Sequence, residues 1–207
     1  MRLLIATALC TVLFACGRDA TAGTEPAPPL AEGQKAAVFA GGCFWCVEKD
    51  FEKLDGVIEA VSGYTGGKEE APTYEDVGYH RTSHIEAVRV VYDPQKTDYA
   101  TLVDYFWHSI DPTQSNGQFC DKGEQYRSAI FTSDTDEVKL AKETKKKVGA
   151  ELGAAVDTRI LPESVFWVAE DYHQDFYKKN PEHYLRYRIG CGRDARVQKL
   201  WGSKAVH

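Results

Sequence analysis

Residues 35–51 read "KAAVFAGGCFWCVEKDF", and this stretch decides the fold. The apolar run 35–40 predicts a strand, and Gly41–Gly42 a tight turn. Phe44, Val47, Phe51 and Leu54 then fall at i, i+3, i+7 and i+10, which is one apolar helix face. Gly56 ends that helix. Cys43 therefore lies between a glycine turn and the first helical turn. Backbone N–H groups and the helix dipole there favour an anion, so its thiol pKa is expected to be lowered. Cys46 follows one turn later on the same side, at a spacing that permits a disulfide. Trp45 lies off the apolar face and is free to line a pocket.

Upstream, "MRLLIATALCTVLFAC" places Arg2 before an apolar run from Leu3 to Phe14. That run is too short for a stable membrane span and fits a secretory signal. Its end, "LFAC", is similar to a bacterial lipoprotein cleavage site, with Cys16 as the lipidated residue; an ordinary secretory signal is the alternative. Either way the protein is expected to be exported, to the periplasm, with its only membrane contact through a lipid anchor. Residues 17–34, rich in Gly, Ala and Pro, are expected to form a flexible tether before a single domain at 35–207.

Downstream, 57–64 reads as a strand and 65–83 as a long loop, a length that points to function. "HIEAVRVVYDP" (84–94) alternates so that Val88, Val90 and Tyr92 share a face, with Glu86 in phase. A carboxylate is thus expected on the core side. A helix over 99–110 with Asp98 as N-cap follows, then a polar loop at 111–125, a strand at 126–132 and a solvated helix at 133–152. Two short strands come next, then a short helix at 171–180 stopped by Pro181. This irregular interleaving predicts an α+β (mixed α/β) domain.

The chain has 207 residues and a net charge of −6, with no basic stripe, which argues against nucleic acid as a partner. Beyond the signal, Cys43, Cys46, Cys120 and Cys191 remain. An exported protein keeps disulfides, so two structural bridges in a surface binding module are one reading. A zinc half-site is another, although Cys120 and Cys191 stand apart rather than as a second pair. A thioredoxin-like thiol–disulfide oxidoreductase using Cys43 and Cys46 fits the strand–turn–C-x-x-C–helix setting. The fourth reading is a nucleophilic Cys43 whose sulfenic acid condenses with Cys46. Phe44 and Trp45 would give that thiolate an apolar wall suited to an S-methyl group.

"GGCFWCVE", "SGYTGG" (62–67), "PTYEDV" (72–77), "HIEAVRVVYDP", "DKGEQYRSAIF" (121–131) and "AEDYHQDFY" (169–177) resemble, in order, the A-type peptide methionine sulfoxide reductases. The resemblance runs from about Val38 to Trp201. It implies a two-layer sandwich with a mixed central sheet, no metal, and reduction of the S epimer of methionine sulfoxide, free or in proteins. It implies Cys43 as nucleophile, Glu86 as the acid for the sulfoxide oxygen, Tyr74 and Tyr126 bonding that oxygen, and Asp121 ordering the site. Phe44 and Trp45 would hold the methyl group, and a thioredoxin-like donor would recycle the enzyme. A carboxylate on an apolar face agrees independently, because burial raises its pKa and keeps it an acid near neutrality. Many members carry Gly at the position of Cys46 and place a resolving cysteine in a glycine-rich tail. Here Cys46 is favoured as first resolver and Cys191 is the other candidate. Cys120 is expected to be a buried bystander, and His84 and His173 hydrogen-bonded structural residues.

Overall fold

The computed structural model describes residues 24–207; the expected signal segment, Cys16 and residues 17–23 lie outside the described residues. In chain order the elements are β1 (Glu25–Pro26), β2 (Lys35–Ala40), α1 (Phe44–Phe51), β3 (Val57–Thr65), α2 (Tyr74–Gly78), β4 (Ile85–Tyr92) and α3 (Tyr99–Trp107). They continue with β5 (Gly117–Gln118), β6 (Asp121–Lys122), β7 (Ala129–Phe131), α4 (Thr135–Leu152), β8 (Arg159–Leu161), β9 (Trp167–Val168), α5 (Phe176–Lys179), α6 (Pro181–Gly190) and α7 (Arg193–Trp201).

A seven-stranded sheet runs β1-β9-β3-β4-β2-β7-β8. All neighbours are antiparallel except β7 and β8. The strand–turn–helix reading of 35–51 is therefore borne out, with β2 near the centre of the sheet. Phe39 on β2 stacks on Phe51 of α1 and Phe106 of α3, each at 5.0 Å between ring centres, which seats both helices on one face. Val88, Val90 and Tyr92 of β4 join that core, and Glu86 is buried in phase with them, as the alternation required. The N-cap at Asp98 is present, its Oδ1 accepting from Thr101 N at 2.8 Å. The other sheet face carries a smaller cluster of Ala40, Ile85, Ala87, Ala129, Phe131 and Phe166.

Several expectations are corrected. The inner end of the proposed tether is not free: β1 pairs with β9, Ala27 N donates to Phe166 O at 2.8 Å, and Ala27 packs on the smaller cluster. Arg89 bonds the Pro28 carbonyl at 2.9 Å and Thr24 Oγ1 that of Pro72 at 2.8 Å. Proline has no N–H to lose, so Pro26 and Pro28 suit an edge arm that is held by its carbonyls and packing. Pro181 does not stop a helix but starts α6, where its fixed φ fits the first turn. The loop at 65–83 contains α2, capped by Thr73, and the loop at 111–125 contains the β5–β6 hairpin.

Removing residues 24–34 should leave the fold intact but cost about 2 kcal/mol, since the arm's hydrogen bonds, the Thr24–Pro72 bond buried among them, contribute roughly 1 kcal/mol each and are offset by the entropy of ordering the arm. The expected result is a melting temperature lower by about 5 °C, read by circular dichroism; an unchanged melt would show that the arm contributes nothing.

Candidate active site

The glycine pair positions Cys43. Gly42 has φ +83°, and a Cβ there would lie 2.6 Å from Gln118 Cβ, so only glycine lets the β5–β6 hairpin close over the turn. Cys43 caps α1, without a side-chain hydrogen bond to the helix, and is 7% exposed. The first free N–H of the helix, on Phe44, donates instead to Glu86 Oε2 at 3.0 Å. This corrects the expected lowering of the Cys43 pKa. The helix terminus serves Glu86, and burial, reinforced by Cys46 and Glu86, pushes the Cys43 thiol well above its ordinary range. The hydrogen bond with Cys43, followed by the charges of Arg193 and Arg188, instead brings Cys46 down to about 7 against its burial. Both cysteines are free thiols.

Glu86 is 2% exposed, and burial raises its carboxyl to about 8 against the bond from Phe44. It is an acid at neutral pH, as its place in the alternation implied. Tyr74, at the start of α2, and Tyr126, in a 3-10 turn at Glu124–Tyr126 rather than in the expected strand, are both half-buried. Both phenols are pushed up first by burial and then by the charge of Glu86. Asp121 on β6 is raised by burial and accepts a hydrogen bond from the Tyr187 hydroxyl. Thus Cys43, Glu86, Tyr74, Tyr126 and Asp121, scattered over more than 80 residues, come together at one end of the central strands, where β2 ends and β4 begins.

The segment 169–177 holds the walls in place. Glu170 accepts from Tyr74 N at 2.8 Å and Tyr64 Oη at 2.9 Å. His173 Nδ1 accepts from Trp45 Nε1 at 3.0 Å, and burial lowers its pKa to about 4, so the ring is neutral with its proton on Nε2. Trp45 lies flat on Phe176 at 3.7 Å, and Phe44 packs on Tyr74, Tyr64 and His173. Phe44 is buried and Trp45 half-buried, so Trp45 presents the more open wall. Buried Glu48 accepts from Ser62 Oγ and from Asp175 N, tying α1 to β3 and to this segment. His84 bonds Gly67 N and the Glu69 carbonyl and staples the long loop. Both histidines are structural, as expected.

Cys120 is not a buried bystander: it is exposed and bonded to Cys191, with Cα atoms 4.8 Å apart. The bridge joins the β5–β6 hairpin to the end of α6, beside the Tyr187–Asp121 hydrogen bond. Tyr187, which donates to Asp121 and lies beside Cys43, escaped the sequence reading. So did Arg188 and Arg193, which reach buried Asp50 on α1. Reading Pro181 as a helix start would have exposed them, because Tyr184, Tyr187, Arg188 and Cys191 then recur at helical spacing.

The site thus brings two buried thiols, a buried carboxylic acid and two phenols together beside an aromatic wall, a set of groups suited to redox chemistry at sulfur. The family model for peptide methionine sulfoxide reductase matches residues 35–205. The chain is 49% identical to peptide methionine sulfoxide reductase MsrA of Bacillus licheniformis, over 84% of this chain and 98% of that one. It is 47% identical to that of Bacillus subtilis, over 84% and 100%. Among solved structures, methionine sulfoxide reductase A of Corynebacterium diphtheriae aligns with a TM-score of 0.66 at 34% identity, over 73% of this chain and 77% of that one. Reduced Mxr1 of Saccharomyces cerevisiae aligns at 0.69 and 32%, over 79% and 92%. The chain belongs to the peptide methionine sulfoxide reductase family.

Proposed function

We propose that Cys43 reduces the S epimer of methionine sulfoxide, free or in oxidised proteins. The observation that carries this reading is the contact between Glu86, held as an acid, and the backbone of the residue next to the Cys43 thiol. The sulfoxide oxygen is a poor leaving group until it gains a proton, and Glu86 supplies it while Tyr74 and Tyr126 donate hydrogen bonds to the same oxygen. The S-methyl group lies against Phe44 and Trp45. The Cys43 sulfur attacks and its thiol proton restores Glu86; the substrate S–O bond breaks, the oxygen ends as S–OH on Cys43, and methionine leaves, so the substrate sulfur gains two electrons and Cys43 loses them. Cys46, one turn away, then displaces water to form a disulfide. A dithiol protein of thioredoxin type restores both thiols. Cys191 is the second resolving candidate, and its bridge to exposed Cys120 is the disulfide that such a donor meets first.

The alternative, general thiol–disulfide exchange through Cys43 and Cys46, is disfavoured by burial, because the two sulfurs admit a thin side chain more readily than a bulky disulfide. Export to the periplasm and lipidation at Cys16 belong to this reading as well, supported by the sequence of residues 1–16.

The test is a single turnover of the reduced chain with each sulfoxide epimer, followed by chiral chromatography and peptide mass mapping. The expected result is one equivalent of methionine from the S epimer alone and a Cys43–Cys46 disulfide. Consumption of both epimers, or of neither, overturns the reading.

A further inference from the structure

One helical turn along α1 from Cys46 lies a buried cluster of charges with no part in the scheme above. Asp50 is on α1 at i+4 from Cys46, on the same side of the helix. Its side chain is 0% exposed and 2.9 Å from Arg188 Nη1 on α6, itself 3% exposed. Arg193 on α7 is 2% exposed and places Nε 3.7 Å from Asp50. The two Nη atoms of Arg193 donate to the carbonyls of Gly41 and Ser109, each at 3.0 Å. Arg188 also donates to Tyr184 Oη at 2.9 Å, and Tyr184 packs in one cluster with Cys43 and Cys46. The remaining acid, Asp194, touches Arg188 at 2.7 Å but is 45% exposed.

The charge count is uneven. Three cations, Arg188, Arg193 and Lys49 (3.8 Å from Asp50), face two carboxylates, buried Asp50 and half-exposed Asp194, and carbonyls do not neutralise a cation. Buried charge is tolerated when it is paired. The titratable groups facing Cys46 are Cys43 and Asp50 from α1, Glu86 from β4, Tyr184, Tyr187 and Arg188 from α6, and Arg193 from α7. Glu86 is protonated and the tyrosines are neutral, so Cys46 is the group among them that can supply the missing negative charge without opposing an anion on Cys43.

We propose that the buried Asp50–Arg188–Arg193 cluster is the seat that holds Cys46 as the anionic member of the cysteine pair and so sets how fast the pair closes. This rests on the reading of Cys43 as nucleophile. In the closing step, Cys46 S⁻ attacks the sulfur of Cys43–SOH; the S–S bond forms, the S–OH bond breaks, and hydroxide leaves and takes a proton from solvent to become water. Arg188 and Arg193 are positioning residues, acting through Cys46.

The test compares opposite charge changes in the full chain carrying Cys43→Ser, so that alkylation of the 43–46 peptide by iodoacetamide reports Cys46 alone. Arg188→Met should raise the pH midpoint of alkylation by at least about one unit, and Asp50→Asn should lower it. Arg188→Lys should restore the parent value. General loosening would move both variants toward an ordinary thiol, so that pattern, or no movement in either, overturns the proposal. Should Arg188→Met fold poorly, Asp50→Asn carries the test, because its expected shift is away from the ordinary value. In chains that retain Cys43, disulfide closure after one equivalent of methionine sulfoxide should slow at pH 7 in Arg188→Met. If no methionine is released, the reductase reading fails while the alkylation result stands on its own.

Discussion

Cys43→Ser should abolish methionine release, by ~10⁴-fold or more, because the hydroxyl is a far weaker nucleophile than the thiol it replaces. The instructive comparison is Cys46→Ser. If Cys46 resolves the sulfenic acid, this variant still releases about one equivalent of methionine but accumulates sulfenic acid at Cys43, which dimedone traps and mass spectrometry detects. If the bond instead closes to Cys191, the trap captures little and a Cys43–Cys191 disulfide appears. That outcome would require the Cys120–Cys191 bridge to open first, so prior reduction of the bridge should then control the rate.

Glu86→Gln should lower the rate by roughly 10²–10⁴-fold while making the fold more stable. The two effects share one cause. Burial raises the carboxyl from its ordinary 4.5 to about 8, so the folded protein binds a proton that the unfolded chain releases between those values. Stability therefore falls as pH rises from 4.5 to 8, by about 1.4 kcal/mol per pH unit, or on the order of 3 kcal/mol at pH 7. Glutamine accepts the Phe44 N–H bond equally well and does not ionise, so denaturant unfolding of the variant should show a flatter dependence on pH in this window. The wild-type rate should fall above about pH 8 as the acid is lost. A variant that is both inactive and less stable would mean that Glu86 is held as an anion by a partner.

The region around "GGCFWC" was legible because each local signal agreed: a glycine turn, an apolar helix face, and a carboxylate in phase with Val88 and Val90. Tyr74, Tyr126 and Asp121 came only through the family resemblance, since nothing in their local pattern sets them apart from rim residues. The identity of the more acidic thiol was misread for a physical reason. A helix start favours an anion, but which group takes the first N–H depends on β4, forty residues away, and the Glu86 carboxyl takes it. The C-terminal helices were missed because Pro181 signals both an end and a beginning. Once it begins α6, the buried arginines beneath Cys46 follow.

The docking of the arm before β2 also changes the geometry of attachment. With a free tether over residues 17–34, eighteen links would let the enzyme range up to ~60 Å from a lipidated Cys16. With Thr24 bonded to Pro72, a Cys16 lipidated as proposed would lie no more than ~25 Å from that point, the reach of seven extended residues. Pro72 lies two residues before Tyr74, so the docked end of the arm lies beside the mouth of the site. An enzyme anchored in this way would patrol a thin shell of the envelope with its reactive edge held near the lipid surface, and the damaged proteins it repairs would be those that come within that shell.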